Sequence, residues 1–302
     1  MDLDFALIEC EIVADNSVQL TTALYVALRS FEEHFKASCC PDRHDACGSC
    51  RLHSECPYRT IFDQSLSPDP EIVRIHQKPS LPFSLYIKTM GDSTSSCYVG
   101  MVVIGSAVNY IRFFHKALLS MVDACVCNVL SPEKYILRSY SLDYQGIRHL
   151  INVESLAECV ILLSGRHILQ STVHSDSLKL TLKSPLRLLS NSSNVHNFDF
   201  AIFFRSQLRR CSSLCSYYGT GELDLDFVGL SQSAQNVAVL EDDIHYIKPI
   251  WSKRSNRSGL AGEAEFTGLV EPMFSLLTLG SYFNAGKGAA FGSGFHQIEV
   301  ID

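Results

Sequence analysis

The chain has 302 residues, of which 46% are hydrophobic, so it can bury one or two cores, and two domains fit the usual domain size better. Its formal net charge of −7 argues against a protein that coats nucleic acid indiscriminately, because phosphate contacts need lysine and arginine. The acidic start MDLDFALIEC lacks the features of a signal peptide, and no stretch approaches roughly 18 uninterrupted apolar residues, so we expect a cytoplasmic protein without a membrane segment.

The first predicted elements are a strand around Phe5–Val13 and a helix that follows it. Apolar residues recur in this helix at three- and four-residue spacing, which places one apolar stripe against a sheet. The stripe consists of Leu20, Ala23, Leu24, Ala27, Leu28, Phe31 and Phe35. Tyr25 and Arg29 share the polar side of the helix. His34 lies at the margin of the stripe, where a histidine is more often a packing residue than a catalyst.

A cysteine-rich insertion, residues 38–62, follows the helix. Its cysteines have the spacing C-x6-C-x2-C-x5-C, and a tight CxxC pair with two outer cysteines suits a tetrahedral thiolate site. The predicted ligands are Cys40, Cys47, Cys50 and Cys56. Because 12 cysteines in a reducing compartment are not typical of a disulfide framework, we interpret the site as structural zinc, with an iron–sulfur cluster as the alternative. Cys39, His44 and His53 are spare ligands, and reduced cysteines without a metal remain a further alternative.

The remainder of the first half predicts a sheet and a second helix. Strand patterns occur in EIVRIHQ, PFSLYIKT and CYVGMVVIG, a helix pattern runs from Val108 to Asn128, and KYILRSY predicts a returning strand. Strand, helix, strands, helix, strand is the order of a ferredoxin-like domain. We place this N-terminal domain, with its insertion, at residues 1–155.

The second half repeats that order and predicts a second ferredoxin-like domain at residues 156–302. DSLKLTLKS alternates apolar and polar residues as a strand does. The segment from Phe198 to Tyr217 has the periodicity of a helix, on which Arg205 and Arg209 lie one turn apart.

The last elements are a hairpin, a strand, a helix and a final strand. The hairpin is predicted at Asn236–Glu241 and Ile244–Ile250, the strand from Glu263, the helix from Pro272 and the last strand in FHQIEVI. The fold class is therefore α+β, with two tandem ferredoxin-like domains and a metal-binding insertion in the first.

A glycine-rich loop, Gly280–Phe295, precedes the last strand and carries five glycines and one cation, Lys287. Glycine reaches positive φ without penalty and lets another molecule approach the backbone, so amide groups can converge on an anion that Lys287 would neutralise. The spacing, and Gly288 directly after the lysine, exclude the GxxxxGK[ST] loop of nucleotide hydrolases. A hairpin shaped only by turn requirements is the alternative.

A basic segment lies before this loop. From Lys248 to Arg257 the sequence has four cations and no acid, which would suit a site-specific RNA binder with a confined basic surface. A solvated basic face without a ligand is the alternative, because charge runs are usually solvated.

With GEAEFTG and PIWSKRSNRSG before it, the glycine-rich loop resembles the C-terminal signature of the CRISPR-associated endoribonucleases of the RAMP superfamily that cut precursor CRISPR RNA. That family's loop has the form GxGKGxxFGxGxx. It is matched here by Gly286, Lys287, Gly288, Phe291, Gly292 and Gly294. The match covers roughly the last third of the chain, and the cysteine segment resembles a subset of the same family. The resemblance implies the same tandem ferredoxin-like (RRM-like) architecture.

The resemblance also implies an endoribonuclease without a catalytic metal, in which the ribose 2′-hydroxyl attacks the adjacent phosphate and leaves a cyclic phosphate. This reaction needs a base, a proton donor and groups that stabilise charge on the phosphate. In several family members the catalytic residues are a tyrosine on the first helix and a histidine further along the chain. The corresponding candidates are Tyr25 and either His34 or His44, although the insertion breaks the correspondence and some members rely on cations instead.

For RNA binding, we predict that the glycine-rich loop and nearby cations hold the RNA backbone. The predicted residues are Gly286, Lys287, Gly288, Gly292, Gly294, Lys253, Arg254, Arg257, Arg205 and Arg209. The expected partner is CRISPR repeat RNA. One alternative function is a noncatalytic RAMP subunit that binds guide RNA with other CRISPR effector subunits, and a weaker one is a cysteine-ligated redox protein.

Overall fold

The computed structural model of the protein describes residues 3–14, 17–41, 47, 50, 55–89, 96–131, 134–152, 155–221, 223, 225–248 and 258–301. The chain divides into two units, Asp4–Leu163 and Ser164–Asp302, the second of which also includes Met1–Leu3. The sequence prediction set the division between residues 155 and 156. Among the helices in the described part of the chain, none is long and apolar enough to cross a lipid bilayer.

The N-terminal unit follows the order strand, helices, two strands, helix, strand. Its elements are β1 (Asp4–Ala14), α1 (Ser17–Ala27), α2 (Phe31–Cys39), α3 (Pro57–Phe62), α4 (Pro70–Ile75), β2 (Phe83–Thr89), β3 (Ser96–Ile104), α5 (Ile111–Cys127), β4 (Tyr135–Leu142), β5 (Arg148–Leu150), α6 (Leu156–Cys159) and β6 (Leu162–Ser164). A 3-10 turn, Leu28–Ser30, separates α1 from α2. The single helix predicted there is therefore two, and the apolar stripe continues across the turn.

Strand β1 lies at the centre of the N-terminal sheet, whose order is β2-β3-β1-β4-β5, with β6 also paired to β1. Its pairings with β3 and β4 are antiparallel, so that Leu7 lies opposite Val102 on one side and Leu142 on the other. Helices occur between β1 and β2 and between β3 and β4. Together with the strand order 2-3-1-4, this is the ferredoxin-like topology predicted from the sequence.

The core of this unit contains a cluster of phenylalanines. Phe31 and Phe35 of α2, Phe83 of β2 and Phe114 of α5 are fully buried. Their ring centroids are close, with 4.7 Å between Phe35 and Phe114 and 5.1 Å between Phe31 and Phe83. Tilted aromatic pairs of this kind each contribute about 0.5–1.5 kcal/mol beyond the area they bury. The cluster therefore fixes α2 against α5 and the sheet.

The segment EIVRIHQ, predicted as a strand, is the helix α4. Asp69 precedes it and accepts a hydrogen bond from the Glu71 amide at 2.9 Å, and Pro70 occupies the first turn. Arg74 forms an ion pair with Glu71 three residues earlier. A helix N-cap followed by proline thus outweighs the strand-like composition of this segment.

The C-terminal unit repeats the ferredoxin-like order with additions. Its elements are α7 (Gly165–Ser171), β7 (Ser177–Leu186), β8 (Leu189–Ser190), β9 (Ser193–Asn194), α8 (Phe200–Tyr218), α9 (Phe227–Ser233), β10 (Ala238–Asp242), β11 (His245–Ile247), β12 (Gly259–Thr267), α10 (Met273–Tyr282) and β13 (His296–Val300). The sheet order is β10-β12-β7-β13, with β11 also paired to β12. Leu178, Leu180 and Leu182 of β7 point into the core, as their alternation predicts.

Strands β10 and β11 do not pair with each other, so the hairpin predicted there is wrong. Both pair with β12 in succession, β10 near Thr267 and β11 near Gly259. Asp243 and Ile244 lie between these strands and belong to neither, and a Cβ at Gly262 would lie 2.2 Å from the Asp243 carbonyl oxygen. The acidic run that looked like a hairpin turn is therefore an irregularity in one edge strand.

Candidate nucleic-acid interface

Helix α8 forms one wall of a groove in the C-terminal unit. Asp199 fixes where the helix begins, because its carboxylate accepts a hydrogen bond from the Ile202 amide at 2.8 Å. From there Ile202, Arg205, Ser206 and Arg209 recur at three- and four-residue spacing and line the groove. The two arginines predicted from the sequence therefore lie one turn apart on the same face.

The second wall is the chain that leaves β7. Arg187 comes first, and the short hairpin β8–β9 follows, with Leu189 opposite Asn194 and Ser190 opposite Ser193. Its two central residues have positive φ, 49° at Asn191 and 64° at Ser192. Positive φ at both positions is the signature of a type I′ turn, whose twist matches that of the flanking strands. The hairpin therefore presents a polar Asn–Ser tip at the rim of the groove.

The glycine-rich loop closes the groove with Gly286 and Lys287. The Lys287 amide donates to the Arg187 carbonyl oxygen at 2.8 Å, which joins the loop to the chain after β7. Gly286 has φ of 73°, and a Cβ there would lie 2.4 Å from the same oxygen. Only glycine allows this backbone approach, so the position is structural. Lys287 and Arg187, joined by this hydrogen bond, both line the groove.

Several amides of the loop are used within the protein. The Gly294 amide donates to Pro185 O at 3.0 Å and the Gly292 amide to Ala289 O at 3.4 Å. Of the four glycines predicted to bind RNA, Gly286 and Gly288 keep amides without a hydrogen bond to a described residue. A main-chain contribution to anion binding is therefore confined to these two positions, while Gly292 and Gly294 shape the loop.

A buried histidine holds the base of this loop against α8. His296 Nδ1 donates to Gly294 O at 2.8 Å, and Gln207 Nε2 donates to His296 Nε2 at 2.8 Å. This hydrogen-bond pattern requires a neutral ring. Complete burial lowers the pKa of His296 to about 4, which keeps the ring neutral near pH 7.

The groove has a volume of about 740 Å³ and is cationic. Its lining includes Arg187, Arg205, Arg209 and Lys287 and, among the described residues, no aspartate or glutamate. None of these four side chains forms an ion pair with a residue in the described part of the chain. In a chain with a net charge of −7, a groove whose four cations have no carboxylate partner in the described part of the chain favours binding of a polyanion.

The structure brings together Arg205, Arg209, Gly286 and Lys287, four of the residues predicted to bind RNA. Sequence analysis missed Arg187 and the β8–β9 hairpin, although the run SNSSN carries a clear turn signal. The other predicted cations, Lys253, Arg254 and Arg257, lie outside the described residues.

The catalytic candidates belong to the N-terminal unit. Tyr25 lies on α1, and His34 lies on α2, where its Nδ1 is 2.9 Å from the Ser120 hydroxyl of α5. The 3-10 turn separates the two helices that carry them. His44 lies outside the described residues.

The predicted cysteine ligands are each half-buried. They are Cys40, Cys47, Cys50 and Cys56. The neighbouring Cys39 donates its thiol to the Phe35 carbonyl oxygen at 3.2 Å, and burial, followed by the proximity of Cys56, raises its pKa to about 11. Within the described residues, no three His, Cys, Asp or Glu side chains are grouped so that they could hold a metal ion. His44 and His53 lie outside those residues, and the zinc site stays a prediction.

A second charged cluster lies on the N-terminal sheet and gave no signal in the sequence. The fully buried carboxylate of Glu9 accepts from Tyr86 at 3.0 Å, Lys88 at 3.0 Å and Arg148 at 2.8 Å. Two positions along β1, Glu11 accepts hydrogen bonds from two further tyrosines, Tyr98 and Tyr140, and lies 3.8 Å from Arg138. The cations of this cluster are therefore neutralised within the unit.

Residues 180–295 match the family model of the CRISPR-associated endoribonuclease Cas6. Residues 3–130 match a second model, described as an N-terminal domain. Comparison of the sequence with curated proteins gives no match.

Solved structures share the fold over the whole chain. Thermus thermophilus Cas6 has 12% identity and a TM-score of 0.52, with 99% of each chain covered. A product complex of the same Cas6 has 12% identity and a TM-score of 0.56, with 98% of this chain and 99% of that chain covered. A chain of a partial Cas6-RT-Cas1–Cas2 complex has 11% identity and a TM-score of 0.55, with 99% of this chain and 46% of that chain covered.

Proposed function

We propose that the chain belongs to the family of CRISPR-associated endoribonucleases Cas6, whose model residues 180–295 match, and that it cleaves precursor CRISPR RNA within the repeats to give mature guide RNA. The observation that carries the proposal is the groove of the C-terminal unit, where four cations lie together without an acidic partner among the described residues. A protein that must hold a phosphate backbone needs such unneutralised cations. Association with other CRISPR proteins is part of the proposal, since one protein of similar fold belongs to a complex with RT, Cas1 and Cas2.

In the proposed reaction, the 2′-hydroxyl oxygen attacks the adjacent phosphorus and the bond from phosphorus to the 5′-oxygen breaks. A base takes the proton of the 2′-hydroxyl, and an acid gives a proton to the departing 5′-oxygen, so that a cyclic phosphate and a 5′-hydroxyl result. Histidine can perform either task near neutral pH. We assign these tasks to candidates among His34, His44 and Tyr25, with no catalytic metal.

The test is incubation of the purified protein with repeat RNA in EDTA. We expect cleavage to continue, and to stop when the ribose at the cleavage position lacks its 2′-hydroxyl. His34→Ala should lower the single-turnover rate roughly a hundredfold with little change in RNA affinity. The control is His174→Ala, which removes an exposed histidine of the C-terminal unit.

Three outcomes would count against parts of this proposal. Loss of cleavage in EDTA, restored by a divalent ion, would mean that the reaction needs a metal. If both His34→Ala and His44→Ala retained the wild-type rate, the histidine assignment would be wrong. Tight binding of repeat RNA with no cleavage would identify the noncatalytic alternative instead.

The cysteine-rich insertion is proposed to bind structural zinc through Cys40, Cys47, Cys50 and Cys56. The segment has little apolar content, so a metal would supply the free energy that orders it. Elemental analysis should give about one zinc per chain, and visible absorbance with iron would identify an iron–sulfur cluster. Neither zinc nor iron near one equivalent would defeat the proposal.

A further inference from the structure

The β8–β9 hairpin differs chemically from the rest of the groove. Every cation of the lining lies on α8, on the glycine-rich loop or at Arg187, whereas Ser190, Asn191 and Ser192 on the hairpin are uncharged and exposed. Among the described residues, none of these three side chains has a hydrogen-bond partner. Their hydroxyl and carboxamide groups are therefore available to a ligand that occupies the groove.

These groups suit bases better than phosphates. The Asn191 carboxamide offers a donor and an acceptor side by side, as base edges do, and the serine hydroxyls can donate or accept. Phosphate contacts position a nucleic acid, whereas contacts to base edges specify its sequence. With cations on the neighbouring walls, the groove divides into a part that attracts the backbone and a part that can distinguish bases.

The turn residues are also not those that the backbone alone would favour. A type I′ turn is most favourable with Asn–Gly, because the second central residue also has positive φ. Here that residue is Ser192, with φ of 64°. A serine held in this region costs free energy that a glycine would not, which is typical of positions where the side chain has a function.

We propose that the tip of this hairpin reads the base edges of the RNA in the groove, with Asn191 and Ser192 as specificity-determining residues. The inference rests on the proposed function, since the RNA is taken to be the CRISPR repeat. Single-stranded or unpaired bases are the expected target, because sequence-specific recognition of RNA mostly uses unstacked bases.

The test uses the full chain with Asn191→Gly and Ser192→Gly combined. Glycine is the residue most compatible with both φ values, so the hairpin should keep its turn while it loses both polar side chains. Affinities for repeat RNA and for a scrambled RNA of the same composition are measured by competition. We expect the preference for the repeat to fall at least about tenfold, with the affinity for scrambled RNA and the salt dependence unchanged.

The matched control is Lys287→Ala, which should weaken binding of both RNAs equally. An unchanged ratio in the double-glycine variant, an equal loss for both RNAs, or a wild type without any preference would each overturn the inference. Circular dichroism and thermal melting confirm that the variant is folded, and Asn191→Gly alone provides a second, milder variant. Because the readout is binding, a protein that prefers the repeat but never cuts it would contradict the proposed function and leave this inference standing.

Discussion

The two charged clusters contain the same kinds of residue and differ in their partners. On the N-terminal sheet, Lys88 and Arg148 both contact the buried carboxylate of Glu9. In the C-terminal groove, Arg187, Arg205, Arg209 and Lys287 have no carboxylate among the described lining residues. The number of cations in a cluster therefore does not identify a binding surface. Cations that the fold pairs with carboxylates are expected to contribute to stability. Cations that lack such partners are expected to bind a ligand.

The largest expected effect concerns the N-terminal cluster. Glu9→Gln removes the charge that pairs two cations, and breaking a buried ion pair costs about 3–5 kcal/mol. Because Lys88 and Arg148 remain 33% and 30% exposed, we expect the lower end, about 3 kcal/mol, in the free energy of unfolding by denaturant. Glu33→Gln, at an exposed position of α2, is the control and should change stability by less than about 0.5 kcal/mol. Equal effects of the two substitutions would show that the cluster is not structural.

The next effect concerns the glycines that shape the groove. Gly294→Ala places a Cβ 2.1 Å from the Ala285 carbonyl oxygen, at a φ of 66°. Gly146→Ala is a matched control, because Gly146 has a φ of 75° and nothing within 4 Å of its Cβ position. The control should lose about 1 kcal/mol of stability from backbone conformation alone, and Gly294→Ala about 1 kcal/mol more from the steric conflict. Similar losses of stability in the two variants, measured by thermal or chemical denaturation, would mean that glycine is required at position 294 only for its positive φ and not for the close approach of Ala285.

A pH-dependent loss of stability, which is absent near pH 7, is expected from His296. Its pKa in the folded protein, about 4, is below the unfolded value of about 6.5, so the unfolded chain binds the proton more readily. Stability is therefore fully present above about pH 6.5 and falls toward pH 4, by at most about 1.4 kcal/mol per pH unit from this residue. Burial lowers the pKa of His115 as well, in the same direction. His296→Gln should flatten the decline, and an unchanged pH profile would contradict this account.

The local periodicity of the sequence is sufficient to predict the main helices and strands. It is insufficient where a helix cap or an irregular strand pairing determines the secondary structure. The alternation in β7 and the periodicity of α8 were readable, because each sequence pattern matches one secondary structure. The pattern of EIVRIHQ does not predict helix α4, since its Asp69 cap outweighs its composition, and the separate pairing of β10 and β11 with β12 involves residues distant in sequence.

The site was only partly predictable for a related reason. Arg205 and Lys287 belong to recognisable patterns, whereas Arg187 lies in a short loop that the Lys287 amide joins to the glycine-rich loop through a hydrogen bond to the Arg187 carbonyl oxygen. The cations that contact Glu9, Lys88 and Arg148, are 79 and 139 residues away in the sequence, and sequence patterns do not show such pairs.

The salt dependence of repeat RNA binding shows whether the cations of the groove contact RNA phosphates. The variant is Arg205→Ala combined with Lys287→Ala, and the control is Arg112→Ala combined with Lys116→Ala, which removes two exposed cations of α5. Each lost phosphate contact should reduce the slope of log affinity against log salt by about 0.7 for single-stranded RNA. We predict a slope smaller by about 1.4 for the groove variant and a wild-type slope for the control. A groove variant with wild-type affinity and slope at every salt concentration would contradict the account.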